Sequence, residues 1–330
     1  MYARLALVAF MVVALVSSAS AYDSDKAREA LTRSLTFLQQ DAAKWRAERG
    51  CATCHHGTMS VWALNEAKAQ GHAVDAAALA EITQWTKERF VDKFRKPRDP
   101  RPGWSLVSVP AIYLGLMSQS LPVLSRDEIN TVAMHLANHQ EEDGAWAVPP
   151  PANGAPPIWE SRETLALLAY LAWEPYVPAD PAAAEKARAS REKAAAWLNT
   201  VERSTTTQAA TLRLLFDVRT SQPEAQLQAG MDDLLKRQNA DGGWSQTPEM
   251  ASDAHATGQA LYALSLAEIK PSDPVIQRGR EFLIKTPRED GGWAMTSRPC
   301  PPSNKGATNL IPITGAGASW AVLGLVRSAE

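Results

Sequence analysis

The chain has 330 residues, of which 45% are hydrophobic, with 34 basic and 36 acidic side chains and a formal net charge of −2. This length and apolar content suffice for a large buried core, so extensive disorder is not expected. Neither sign of charge dominates and no long block of one sign occurs. Electrostatics therefore argue against a protein that binds nucleic acid or an anionic membrane surface.

The first 21 residues have the pattern of an export signal. Arg4 lies in a short basic region, Leu5 to Val16 form an apolar run, and small residues end at Ala21. This run is shorter than the ~20 residues that a transmembrane helix needs. We therefore expect a signal peptide over residues 1–21, cleavage before Tyr22, no stable membrane span after cleavage, and a periplasmic or secreted protein. An uncleaved anchor is the alternative.

Helical periodicity divides residues 22–330 into six pairs of helices that form one domain, and no strand pattern competes. In each pair an amphipathic helix precedes a more apolar helix. The predicted pairs are 27–49 with 59–69, 76–94 with 107–117, 127–139 with 162–173, 184–201 with 206–218, two helices within 228–264, and 275–285 with about 317–326. The period of roughly 45 residues lies in the range of helical repeat arrays.

Three of the pairs are joined by an acidic turn that contains glycine and ends in tryptophan. These turns are Gln140–Trp146, Gln238–Trp244 and Glu289–Trp293. Their composition predicts a left-handed glycine that ends the first helix and a tryptophan that packs back over the turn. The expected role of these tryptophans is therefore packing.

The turns resemble the QW motif of terpene cyclases and protein prenyltransferases, which reads Q-x-x-D-G-x-W. Gln140–Trp146 and Gln238–Trp244 match it fully, whereas Pro287 stands at the glutamine position of the third turn. The resemblance covers about residues 27–328 and implies an all-α (α/α)6 toroid. In such a toroid six inner helices surround a central cavity, six outer helices surround them, and repeat six closes against repeat one.

The catalytic groups implied by this resemblance are mostly missing. Protonation-initiated cyclases use a D-x-D-D motif, which the chain lacks. Prenyltransferases hold zinc with Asp-x-Cys at the start of an inner helix and a His on the next inner helix. Here Asp253-Ala254-His255 stands at a similar position, but the sixth inner helix has no His. We therefore assign no catalytic residue and keep a degenerate enzyme of this type, with zinc, as one alternative.

Cys51-Ala52-Thr53-Cys54-His55 has the form of a c-type haem attachment signature. In this signature two thiols form thioethers with the haem and the adjacent His ligates the iron. Such attachment takes place outside the bacterial cytoplasm, in agreement with the export signal. We interpret Cys51 and Cys54 as attachment residues, His55 as the proximal iron ligand and His255 as the first choice for the second axial ligand.

Other interpretations of the same cysteines remain open. In an oxidising compartment Cys51 and Cys54 can form a disulfide or a redox-active dithiol, or they can be a remnant without function. They can also bind zinc together with His56 and Cys300. Cys300 qualifies because a closed toroid places the loop of repeat six beside repeat one.

The leading functional hypothesis is an exported toroid that carries haem c and acts in electron transfer or redox sensing with an unidentified redox partner. A second hypothesis is a non-catalytic module whose central cavity or rim holds a partner, with structural cysteines. The cavity can hold a small apolar ligand or a glycan. The polar residues expected to face that cavity are Glu160, Arg162, Glu163, Thr257, Gln259 and Tyr262.

Overall fold

The computed structural model describes residues 2–49, 52, 55–94, 108–148, 160–173, 178, 180–299, 306 and 308–329. Within these ranges, side chains are described from residue 25 onward, except at positions 92, 93 and 108. The described residues form twelve helices and no strand, as the periodicity predicted.

The helices alternate between an outer and an inner layer. The outer helices are α1 (Tyr2–Arg49), α3 (Ala76–Phe94), α5 (Arg126–Asn138), α7 (Pro181–Leu198), α9 (Glu224–Lys236) and α11 (Pro274–Lys285). The inner helices are α2 (Thr58–Ala69), α4 (Ser108–Leu116), α6 (Arg162–Trp173), α8 (Thr207–Arg219), α10 (Ala254–Leu266) and α12 (Ile311–Arg327).

The six inner helices form a closed ring. Each one contacts the next in chain order, from α2 through α4, α6, α8 and α10 to α12, and α12 contacts α2. In the outer layer, α1 contacts both α3 and α11, so the two layers close at the same place. The predicted (α/α)6 toroid is therefore confirmed.

Burial separates the two layers as their sequences predict. Every residue of α10 from Ala254 to Leu264 is buried. In contrast, α11 buries only Ile276, Gly279 and Leu283 among its twelve residues. A helix that is apolar all round belongs inside a protein, whereas an amphipathic helix covers the core with one stripe.

Small residues allow α10 and α12 to pack closely. A Cβ atom added at Gly258 would lie 2.6 Å from the Ala321 nitrogen, and one added at Gly324 would lie 2.6 Å from the Gly258 carbonyl oxygen. Helix α12 also begins at Ile311, six residues before the predicted start. Its early glycines resembled a loop in the sequence, but Gly315 is helical, and the His56 ring leaves no room for a side chain there.

The acidic turns contact the outer helix of the repeat that follows them. The Gln238 amide donates to the carbonyl oxygens of Gly242, in its own turn, and of Val275, in the next outer helix, both at 2.8 Å. The Gln140 amide likewise donates to Gly144 at 2.8 Å and to Ser190 of α7 at 2.9 Å. The glutamine of the motif therefore ties a turn to the following repeat.

The tryptophans of the three turns are buried, and each indole donates a hydrogen bond to a carbonyl of the preceding outer helix. Trp146 donates to Leu136 at 3.0 Å, and Trp244 donates to Leu234 at 2.7 Å. Trp293 donates in the same way to a residue of α11 at 3.2 Å. Their predicted role in packing is confirmed.

The turn glycines have positive φ angles of 105°, 87° and 87° at Gly144, Gly242 and Gly291. Each lies in the turn, six residues beyond its outer helix, so the prediction that these glycines end the helices is wrong. Glycine is required because the turn approaches the backbone of the next outer helix. A Cβ at Gly291 would lie 2.5 Å from the Arg33 carbonyl oxygen of α1, where the outer layer closes.

Among the described residues, no helix combines the length and the apolar character needed to cross a membrane. The export signal at residues 1–21, the domain start at residue 22 and the location outside the cytoplasm stay predictions.

Candidate functional site

Buried polar side chains gather where the inner helices begin. Asp253 caps α10 by accepting a hydrogen bond from the Ala256 nitrogen at 2.8 Å. The loop before α10 also meets the start of α8, because the Thr207 hydroxyl donates to the Ser245 carbonyl at 2.6 Å. Capping and loop contacts thus bring neighbouring repeats together at one end of the ring.

The carboxyl of Asp253 is buried and hydrogen-bonded. Gln246 donates its amide to Asp253 Oδ2 at 2.6 Å and to the Thr296 carbonyl at 3.1 Å. Burial raises the pKa of Asp253 to about 6, although the bonds from Ala256 and Gln246 and the charge of Arg298 act in the opposite direction. A minor fraction of this carboxyl is consequently protonated at neutral pH.

His255 is the second residue of α10 and has 2% of its surface exposed. Burial, and then the charge of Arg298, lower the pKa of His255 to about 3, so its ring is neutral. Its Nδ1 atom has no hydrogen-bond partner among the described residues. The ring lies edge-on to Trp320 of α12, with 6.4 Å between centroids.

A buried ion pair connects opposite sides of the ring. Arg298 precedes α12 in repeat six, Glu160 precedes α6 in repeat three, and the two side chains form an ion pair with 6% and 5% exposure. Glu160 also accepts a hydrogen bond from the Thr206 hydroxyl at the start of α8. Since repeats three and six face each other in a ring of six, this pair lies across the end of the toroid.

Two glutamines meet between α8 and α10. The Gln259 amide nitrogen lies 3.3 Å from the Gln208 side-chain oxygen. The residues are 1% and 4% exposed, and the other polar atom of each amide has no partner among the described residues. The Thr211 hydroxyl, one turn after Gln208, is also buried without a partner there. These three side chains therefore leave buried hydrogen-bond donors and acceptors without partners among the described residues.

Three aromatic rings from three inner helices meet inside the ring. Trp62 of α2 lies 5.1 Å from Trp320 of α12 and 5.7 Å from Tyr262 of α10, and the last two are 5.8 Å apart. All three are at most 4% exposed. Because α2 and α10 are not neighbours in the ring, the contact between Trp62 and Tyr262 places these side chains in its interior. We call them the aromatic trio.

Polar contacts also join the opposite ends of the inner helices. Glu66 of α2 is fully buried and forms an ion pair with Arg327 of α12. Arg219, at the end of α8, donates to the Gln119 side-chain oxygen at 3.2 Å, and Gln119 donates to the Leu171 carbonyl at 2.6 Å. The C-terminal ends of the inner helices are therefore tied together across the ring.

His55 and His56 lie at the seam between repeats one and six. His56 Nε2 lies 2.9 Å from Asp41 Oδ2, and its ring stacks on Trp45 with 4.5 Å between centroids. His56 Nδ1 faces His55 Nδ1. Burial, and then the charge of His56, hold the pKa of His55 well below its ordinary value.

This arrangement distinguishes the two nitrogens of His55. Nδ1 of His55 takes part in the hydrogen-bond contact with His56 Nδ1, and Asp41 lies at the other nitrogen of the His56 ring. Nε2 of the neutral His55 ring is outside this contact and is the nitrogen that can present a lone pair to a metal. A metal-ligating His is commonly held by such a hydrogen bond from its other nitrogen.

The predicted cysteine site lies outside the described residues, since Cys51, Cys54 and Cys300 are not among them. Haem attachment, a disulfide and zinc with His56 accordingly stay predictions, and so does His255 as an iron ligand. The described contacts of the His255 ring are with Trp320, whereas those of the His55 ring are with Trp45 and His56. Among the described residues no metal-binding group of three or more His, Cys, Asp or Glu side chains occurs.

One residue that was expected to face the cavity points elsewhere. Arg162 is 39% exposed, forms ion pairs with Glu141 and Asp143, and lies over the Trp197 ring at 5.3 Å. The prediction for Arg162 is wrong because its position at the start of α6 lets it reach back to the acidic turn.

Two others of that set support neighbouring elements. Glu163 forms a buried ion pair with Arg213 of α8 and accepts from the Ser204 nitrogen at 2.6 Å. The Thr257 hydroxyl accepts a hydrogen bond from the Trp244 nitrogen at 2.9 Å, inside its own repeat. Of the six, Glu160, Gln259 and Tyr262 belong to the polar and aromatic groups described above.

Sequence reasoning did not identify Arg298, Gln208, Gln246 or Asp41. Gln246 follows the acidic turn by two residues, and Gln208 opens an inner helix, so both had a positional signal. Arg298 and Asp41 had none, because their partners are brought close only by the closed ring.

Comparisons with known proteins find similarity to terpene cyclases. The sequence model of the squalene-hopene cyclase N-terminal domain matches residues 181–297, which include α7 to α11. No curated protein matches the chain in sequence.

Similar solved structures include the type II terpene cyclase MstE from Scytonema. A variant in complex with geranylgeranyl dihydroxybenzoate, its substrate, is 13% identical with a TM-score of 0.56, and the match covers 92% of this chain and 98% of that one. A second variant with the same substrate is 14% identical with a TM-score of 0.55 and the same coverage. A third, with the product merosterolic acid A, is 12% identical with a TM-score of 0.54, covering 91% and 97%. The chain has the α/α toroid fold of terpene cyclases.

Proposed function

We propose that the protein binds an isoprenoid-type apolar ligand in the interior of its ring. The observation that carries the proposal is the aromatic trio, in which Trp62, Tyr262 and Trp320 meet from three inner helices. Aromatic side chains supply large apolar contact areas, and ligand sites are typically lined by them with few polar groups. The toroid that binds geranylgeranyl dihydroxybenzoate gives further support.

Binding, rather than cyclisation, is the activity that we propose. Initiating cyclisation by protonating an alkene needs a strong acid, and the chain has no D-x-D-D motif to supply one. The buried carboxyl at the start of α10 is a weak substitute, because the pKa of Asp253 is raised to about 6. Its oxygens are also held by bonds from Ala256 and Gln246.

The proposal is tested by the retention of tritiated geranylgeraniol on the full chain, measured by equilibrium gel filtration. We expect saturable binding of one molecule per chain. Trp320→Leu removes one ring of the aromatic trio and should weaken binding by about tenfold or more, since ~1.4 kcal/mol corresponds to that factor.

The matched control is Trp197→Leu, which changes a tryptophan that lies under Arg162 on outer helix α7. Both variants should keep a cooperative thermal unfolding transition. Absence of saturable binding to the wild-type chain would contradict the proposal, and so would equal weakening by the two folded variants.

A second candidate function, metal ligation at His55, is favoured by the Asp41–His56–His55 arrangement. It leaves the Nε2 lone pair of a neutral His55 for a metal, directly after the Cys51 and Cys54 thiols in the sequence. We propose that this metal is the iron of a covalently attached haem c, which would supply electron transfer or redox sensing. Export of the protein is a condition of this proposal.

The haem proposal is tested by expression in a host with haem-maturation machinery. Intact-mass measurement should show the covalent increment of one haem, and the reduced protein should show an α-band. Replacement of both Cys51 and Cys54 by Ser should abolish the increment. A wild-type mass equal to that of the bare chain overturns the proposal, and metal and thiol analysis of that sample then decides between zinc and a disulfide.

A further inference from the structure

Gln208 and Gln259 form one hydrogen bond with each other and leave further amide atoms unpaired toward the ring interior. Gln259 lies on α10 between His255, one turn before it, and Tyr262, one turn after it, so the three share one face of the helix. Tyr262 belongs to the aromatic trio and His255 lies against Trp320. The face that carries Gln259 therefore looks toward the interior.

The missing partners are one donor and one acceptor. With the Gln259 nitrogen bonded to the Gln208 oxygen, the Gln208 nitrogen and the Gln259 oxygen are left without partners among the described residues. Exchanging nitrogen and oxygen in both amides reverses the bond and leaves the opposite atoms, again one donor and one acceptor. This requirement is independent of how the two amides are oriented.

Leaving such groups unpaired inside a protein is costly. A buried polar atom without a hydrogen bond destabilises the folded state, because it has lost its hydrogen bonds to water and gained none in the protein. The Thr211 hydroxyl and His255 Nδ1 add two more buried polar atoms without partners along the same two helices. A bound molecule that supplies both a donor and an acceptor would satisfy the pair.

We infer that the ligand of the ring carries a hydroxyl group, which binds between Gln208 and Gln259 while its hydrocarbon part packs on the aromatic trio. A hydroxyl both donates and accepts, as the amide pair requires. A carboxylate or a phosphate monoester in its charged form only accepts, and would leave the glutamine oxygen unpaired beside a negative charge. The nearby cation Arg298 is already paired with Glu160. This inference rests on the proposed binding of an apolar ligand and specifies its polar end.

The test compares geranylgeraniol with the hydrocarbon of the same C20 skeleton that lacks the hydroxyl, each supplied from cyclodextrin to the full chain. Competition against tritiated geranylgeraniol gives both affinities. We expect the alcohol to bind at least tenfold more tightly than the hydrocarbon. Geranylgeranoic acid at pH 8 should bind no better than the hydrocarbon.

The double variant Gln208→Leu/Gln259→Leu removes both amides and keeps side chains of similar shape. Replacing both partners of a buried hydrogen bond by apolar groups is often nearly neutral for stability, so this variant should fold. Its preference for the alcohol should fall to within about twofold. Gln119→Leu, which changes a glutamine at the opposite end of the ring, should keep the wild-type preference.

The outcomes separate the two proposals. Equal affinity for alcohol and hydrocarbon overturns the inference about the hydroxyl and leaves the apolar site intact, as does an unchanged preference in the folded double variant. Tighter binding of the acid than of the alcohol also overturns it. If neither C20 compound binds, the proposed function itself fails.

Discussion

At the residue scale, Asp253 and His255 are two buried titratable groups whose effects on stability oppose each other. The pKa of Asp253 is raised by burial to about 6, and the pKa of His255 is lowered by burial to about 3. Between these values the folded chain keeps both groups uncharged, whereas the unfolded chain ionises both. The charged side chain that faces them is Arg298, which is paired with Glu160.

The sign of each effect follows from proton uptake. From about pH 4 to 6 folded Asp253 holds a proton that the unfolded chain has released, so its contribution to the free energy of unfolding falls as the pH rises. Over the same range unfolded His255 holds a proton that the folded chain lacks, so the contribution of His255 rises with pH. In the wild-type protein these two opposite pH dependences of the free energy of unfolding largely cancel.

Asp253→Asn should reveal the pH dependence that His255 alone gives to the free energy of unfolding. Asparagine also caps helices, so the start of α10 is retained. As the pH is lowered from 6 to 4, this variant should lose roughly 2–3 kcal/mol of its free energy of unfolding relative to the wild type. The variant lacks the raised pKa of Asp253, and each unit of such a shift corresponds to about 1.4 kcal/mol. Urea unfolding at several pH values measures this difference. A difference that does not change with pH would contradict the assignment.

At the element scale, the contact between α10 and α12 depends on the absence of side chains. A Cβ atom at Gly258 would lie within 2.6 Å of a backbone nitrogen of α12, which cannot move without shifting the helix. At Gly230 on outer helix α9, a Cβ atom would meet only the side chain of Leu214, at 3.3 Å. The same substitution should therefore have opposite effects at the two positions.

Gly258→Ala should lower the free energy of unfolding by about 2 kcal/mol or more, since overpacking a core contact commonly costs 1–3 kcal/mol. Gly230→Ala should be neutral or stabilising by up to about 1 kcal/mol, because alanine favours helix over glycine. Denaturant unfolding of the two variants gives both values. Similar stability changes in the two would show that the helices are not as close as described.

Sequence alone predicted the elements that are determined by residues close to one another in the chain. Amphipathic periodicity marks α11, and the Q-x-x-D-G-x-W turns carry their own hydrogen bonds from Gln140 and Gln238. The start of α12 was placed too late, because glycine disfavours helices and the reason for a glycine at position 315 is the packing of the His56 ring against it. Such a cause lies in another repeat, about 260 positions away in the chain.

At the scale of the whole molecule, closure of the ring creates the candidate site. Arg298 and Glu160 are separated by 138 positions in sequence and form an ion pair across the end of the toroid. The aromatic trio likewise needs α12 to lie between α2 and α10. Spacing in the sequence cannot predict these contacts, although the repeat pattern predicted the ring in which they form.

The measurement that tests the central claim most directly is the binding of tritiated geranylgeraniol to the full chain and to its two tryptophan variants. An interior site predicts one molecule per chain, affinity reduced about tenfold or more in Trp320→Leu, and wild-type affinity in Trp197→Leu. No saturable binding, or the same affinity in both folded variants, would contradict a ligand site inside the ring.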